Sequence, residues 1–180
     1  MGDFQPFAVE CVHDQLDVAA FAVAAGCDGV AHESDCFTFQ GVALEDYKKN
    51  ITEIIDKAQA ANIKVMILTS TMIGEDPEKD TNKKLIPYND FLRQIAKEKN
   101  CLLADLSKDM HEQLKKMPDE PGKARMFGEP KYQRNIKNKL TTDGCHMNKL
   151  GNIMMAKGVL RTFGLSEEKI AAAEKSWLEK

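Results

Sequence analysis

The chain has 180 residues, 43% hydrophobic and 29% charged, which is the size and composition of one globular domain; two full catalytic domains, wholesale disorder, collagen-like repeats and a coiled coil are excluded. Its net charge of -3 supplies no field that would gather nucleic acid or anionic lipid, so both partners are set aside.

Residues 1–40 show little polar alternation and hold three of the five cysteines, Cys11, Cys27 and Cys36, together with His13 and His32. The separations of these five residues fit no common metal-ligand spacing, and the odd cysteine count without a CxxC pair argues against a disulfide framework and a zinc module. Reduced thiols in a cytoplasmic protein, with no metal and no cofactor, are the expectation. The apolar stretch at 18–26 is far short of the roughly 20 residues that span a bilayer, and no basic segment precedes it as in a signal peptide. Leu16 to Ala24 reads as a first strand leading into Gly26, with a helix as the alternative because of its alanines.

The rhythm then becomes regular. Leu44, Tyr47, Ile51, Ile54, Ile55 and Ala58 form one stripe of a helix over 43–61, and the β-branched run 63–68 follows as a strand buried on both faces. Leu85, Tyr88, Phe91, Leu92, Ile95 and Ala96 repeat the helical stripe, and 101–106 repeats the buried strand. Tyr88 and Asn89 read as a helix-surface pair, with contact to a substrate pocket as the alternative. Ser107 is placed to cap a brief helix over 108–116. Residues 117–142 lack periodicity and contain Pro118, Pro121 and Pro130, so they read as a long excursion. From Lys115 to Lys139 a surplus of Lys and Arg is expected to be solvated, with attraction of an acidic substrate as the alternative. A helix from Lys149, with Leu150, Ile153, Met154, Leu160 and Phe163 on one face, and another opened by Ser166 close the chain. The methionines near the first of these are read as core filling.

The chemistry-bearing stretch is 141–152. Asp143 and His146, three apart on a glycine-containing turn before a helix, can meet so that the carboxylate orients one imidazole nitrogen: the acid and base of a nucleophilic hydrolase. An Asx turn at Asp143 with Asn148 capping the helix is the competing structural reading. A metal site from Asp143, Cys145 and His146 lacks an evident fourth ligand.

The word Asp-Gly-x-His-x-Asn-x-x-Gly at 143–151, after helix, strand, helix and strand in that order, resembles the last sequence block of the SGNH (GDSL) hydrolases. Residues 41–50, 64–71 and 88–91 support the resemblance, which covers about residues 40–165. It implies a three-layer α/β/α sandwich on a parallel, flavodoxin-like sheet. It also implies a serine esterase acting on small carboxylic esters, an acetylated sugar among them, with Asp143 and His146 activating the serine. The chain departs from the family in its first part. No Gly-Asp-Ser is present, because Phe4 follows Gly2-Asp3, and Gly26 stands where the family's oxyanion glycine falls, followed by Asp28 in place of a donor. The organisation expected is therefore an atypical segment at 1–40, an SGNH-like unit at 41–165 and a C-terminal helix at 166–180. Two accounts stand side by side: an esterase whose nucleophile-bearing part is not the native segment, or a noncatalytic binding or self-association protein on the same scaffold. Fewer strands than the family norm leave a sheet edge that invites a homo-oligomer.

Overall fold

A computed structural model describes residues 21–24, 42–119, 121–122 and 137–179. Most of the atypical N-terminal segment, including Gly26, Asp28 and the Cys11, His13, Cys27, His32 and Cys36 set, lies outside the described residues, as does most of the 117–142 excursion.

The elements run β1 (Phe21–Ala24), α1 (Leu44–Ala60), β2 (Val65–Leu68), α2 (Asp80–Glu98), β3 (Leu102–Ala104), α3 (Leu106–Lys116), α4 (Lys149–Thr162) and α5 (Glu167–Leu178). The three strands form a parallel sheet in the order β1-β2-β3, with Phe21 opposite Val65 and Met66 opposite Leu102. The fold is α/β, and the described part of the early apolar run is a strand rather than a helix.

The four residues of β2 are all buried, and their alternation divides them between two faces. Val65 and Ile67 pack with Ile51, Ile55 and Ala58 of α1 and Leu92, Ile95 and Ala96 of α2. On the other face Met66 and Leu68 pack with Ala104, Leu106 and, from α4, Met155 and Val159. Behind α4 a methionine-rich cluster joins α3 to the segment before α4: Met72, Met110, Leu114 and Leu140 are buried, and Met117, Met147, Met154 and Met155 pack against them. The core-filling reading of these methionines thus agrees with their packing.

Three local expectations are corrected. First, the strand at 101–106 is shorter and less buried than its apolarity suggests: Leu102 is 40% exposed, because β3 lies at an edge of the described sheet. Second, the next helix starts at Leu106, capped not by Ser107 but by Asp105, whose carboxylate accepts from Lys108 N and from Nε and Nη2 of Arg93. Burial pushes that carboxyl up, but Arg93 and the Lys108 amide outweigh it and hold it below the ordinary range. Third, the buried stripe of α4 is Gly151, Ile153 and Gly158, whereas Leu150 and Phe163 are exposed. A Cβ at Gly158 would fall 2.6 Å from Leu106 Cδ2, and one at Gly151 would fall 2.2 Å from Leu140 O. These glycines bring α4 against α3 and against the segment that precedes it.

Candidate active site

Residues 140–148 fold back on themselves. Asn148 N donates to Leu140 O, Thr142 N donates to His146 O, and Thr141 and Met147 form an antiparallel bridge. The tip is Asp143-Gly144-Cys145, and Gly144 has φ 83°, a conformation that favours glycine. Asn148 closes the turn and starts the helix: its Oδ1 accepts from Gly151 N, and its Nδ2 donates to Lys139 O. The capping role read for Asn148 is therefore present, and it coexists with the acid and histidine pair.

Within the turn the buried Asp143 spends both oxygens. Oδ1 accepts from Cys145 N at 3.0 Å and His146 N at 2.8 Å, and Oδ2 lies 2.8 Å from His146 Nδ1. Burial pushes the carboxyl up, but the His146 amide, the His146 ring and the Cys145 amide outweigh it and keep Asp143 below the ordinary carboxylate range. An ionised carboxylate only accepts, so Nδ1 is the donor to Oδ2 and Nε2 carries the basic lone pair of the neutral ring. The imidazole itself is exposed, with 63% of its side chain accessible. A buried acid and an open ring at 2.8 Å have the chemistry of an orienter and a general base.

This turn sits beyond the carboxyl ends of the strands, where open α/β sheets carry their sites. The loop leaving β2 reaches it directly, with Gly74 N donating to Gly144 O. That loop is fixed from α2 by two buried asparagines. Asn89 accepts from Ser70 N and donates to Ser70 O; Asn82 accepts from Ile73 N and donates to Gly74 O and Asp76 O. Asn89 is thus a buried bracket rather than the surface residue its place in Tyr88-Asn89 suggested, while Tyr88 Oη donates to Val42 O. The sequence signal that could have found both asparagines is their position: Asn82 and Asn89 are seven apart, on the buried face of α2 marked by Leu85, Leu92 and Ala96.

Ser70 emerges beside this loop, partly exposed, whereas Ser107 is buried with its amide on Thr69 Oγ1; Ser34 lies outside the described residues. Among the described residues no group of three or more His, Cys, Asp or Glu side chains is placed to hold a metal, and no helix is long and apolar enough to cross a membrane.

A parallel sheet between helical layers has the architecture of α/β hydrolase-type folds. The chain is similar to LAE5, an alpha/beta hydrolase enzyme from the metagenome of Lake Arreo, with 20% identity and a TM-score of 0.61 over 82% of this chain and 60% of that one. It is also similar to the acetyl xylan esterase AlAXEase (26% identity, TM-score 0.63, 81% of this chain and 67% of that one). Axe2, an acetylxylan esterase from Geobacillus stearothermophilus, matches with 16% identity and a TM-score of 0.63 over 82% of this chain and 59% of that one. The chain thus spans about 60% of the length of LAE5 and Axe2. Two Axe2 structures are catalytic mutants, one with a serine and one with an aspartate replaced by alanine. No protein-family model and no curated protein matches the chain.

Proposed function

We propose that the chain is an SGNH-type serine esterase unit that hydrolyses small carboxylic esters, with acetyl groups on sugars as the substrate class. The observation that carries this reading is the 2.8 Å contact between buried Asp143 and the exposed His146 ring. The acetylated-sugar substrate rests on the likeness to AlAXEase and Axe2.

In this reading His146 Nε2 takes the proton of a serine hydroxyl as its oxygen attacks the ester carbonyl, and Asp143 stabilises the resulting imidazolium. The ring then returns the proton to the departing alcohol. Water, activated by the same nitrogen, cleaves the acyl-enzyme and releases the acid. Ser107 is buried, and the serine that would reach His146 is not identified in this chain; the labelling experiment locates it.

Labelling with a fluorophosphonate, which loses fluoride as it bonds to an activated serine oxygen, tests the reading. The folded chain and a His146→Ala control are labelled side by side, and the modified peptide is mapped by mass spectrometry. One labelled serine that vanishes in the control supports the proposal. Absence of specific label, with no hydrolysis of 4-nitrophenyl acetate, overturns it.

A further inference from the structure

Glu75, in the loop after β2, sends all its recorded hydrogen bonds to three consecutive residues. Its Oε2 accepts from Lys139 N at 2.6 Å; its Oε1 accepts from Leu140 N at 2.8 Å, Thr141 N at 2.7 Å and Thr141 Oγ1 at 2.8 Å. In a strand, successive amides point to opposite sides, so three converging amides form a nest that selects an anion. Here the anion is a side chain of the same protein. Leu140 and Thr141 are buried, at 0% and 2% exposure, so their amides have no alternative partner in bulk water.

The nest ends at Thr141, with only Thr142 between it and the Asp143–His146 tip. Thr141 Oγ1, which donates to Glu75, also accepts from Gly144 N at 3.0 Å. Gly74, the neighbour of Glu75, donates to Gly144 O. Glu75 is itself held, because Asn82 grips the carbonyls of Gly74 and Asp76 on either side of it. A continuous chain of hydrogen bonds therefore runs from α2 through Asn82, the 73–76 loop and Glu75 to Thr141 and the Asp143–His146 tip.

We propose that Glu75 is a positioning residue: by filling the amide nest at 139–141 it sets the tip so that Asp143 meets His146 Nδ1. Its catalytic consequence rests on the esterase reading above; its effect on the His146 ring does not. In Glu75→Ala all four bonds are lost. In Glu75→Gln one carbonyl oxygen keeps the Leu140 and Thr141 donors, but an amide NH₂ faces Lys139 N, donor against donor.

The test is ¹⁵N NMR of the histidine rings of the whole chain, with His146 assigned by loss of its signals in His146→Ala. The wild type is expected to hold His146 in the Nδ1–H form. Glu75→Ala is expected to shift it toward a mixture of tautomers and Glu75→Gln to fall between, with both variants shown folded by cooperative melting. A residue that only stabilised the fold would lower the melting temperature and leave the tautomer alone, so unchanged His146 shifts in folded Glu75→Ala overturn the proposal. If Glu75→Ala does not fold, unchanged shifts in Glu75→Gln do so. Hydrolysis of 4-nitrophenyl acetate, run in parallel, is expected to lose about 10- to 100-fold in kcat with little change in KM. Absence of wild-type hydrolysis would count against the esterase reading while the tautomer comparison still decides the role of Glu75.

Discussion

Two histidines of this chain each lie beside a side chain of the kind hydrolases pair with histidine, and their surroundings are opposite. His111, on α3, has Nδ1 3.5 Å from the Ser107 hydroxyl, the serine is buried, and the other ring nitrogen is a buried atom with no hydrogen-bond partner. His146 has an exposed ring, and its Nδ1 lies 2.8 Å from a carboxylate that is fixed by two backbone amides. A serine beside a histidine is thus the weaker sign of a hydrolase. What matters is an acid that sets the ring's orientation and an open side from which substrate can approach.

Substitutions that should break this contrast begin with His146→Ala, expected to lower esterase turnover by about 10⁴- to 10⁶-fold, read by hydrolysis of an aryl acetate. Asp143→Asn keeps the shape but can donate to Nδ1 and so favour the wrong tautomer; about 10³- to 10⁴-fold in kcat should be lost, with folding retained by circular dichroism. The expected effect at His111 is on stability alone. Burial pushes His111 below the ordinary imidazole value, the Ser107 backbone partly opposing it. The unfolded chain therefore binds the proton more readily, and the stability this group contributes is present above about pH 6.5 and lost as pH falls below it. Melting temperatures between pH 7.5 and 5 should fall less steeply in His111→Gln than in the wild type. Ser107→Ala should be the mildest change, leaving labelling and turnover within about twofold of wild type and stability within about 1 kcal/mol. Loss of label in that variant would erase the distinction between the two histidines.

The helices were legible because packing against one sheet imposes a 3.6-residue stripe, and the stripes of α1 and α2 name the residues that meet at Ile55 and Leu92. The turn at 143–146 was legible because its hydrogen bonds are local. Glu75 was not: in Gly74-Glu75-Asp76-Pro77-Glu78 it looks like any solvated acid, and its partners are 64 to 66 residues away. The face of α4 was misread for a different reason. Its buried stripe depends on Gly151 and Gly158, which carry no hydrophobic signal, and their value is the close approach they permit. Asp105 took the capping place expected of Ser107 because Arg93, from another helix, compensates a carboxylate there.

Six of the nine methionines gather behind the candidate site, between α3, α4 and the segment that leads into its turn. Thioethers fill irregular space well, and they are also the side chains that peroxide converts to polar sulfoxides. The layer behind the Asp143–His146 turn is therefore rich in side chains that peroxide can modify where it reaches them. Peptide mapping after mild peroxide treatment should find sulfoxide at the half-buried Met147 and Met154 before the enclosed Met72 and Met110. Met147 adjoins His146, so sulfoxide there would add a polar group directly beneath the candidate turn.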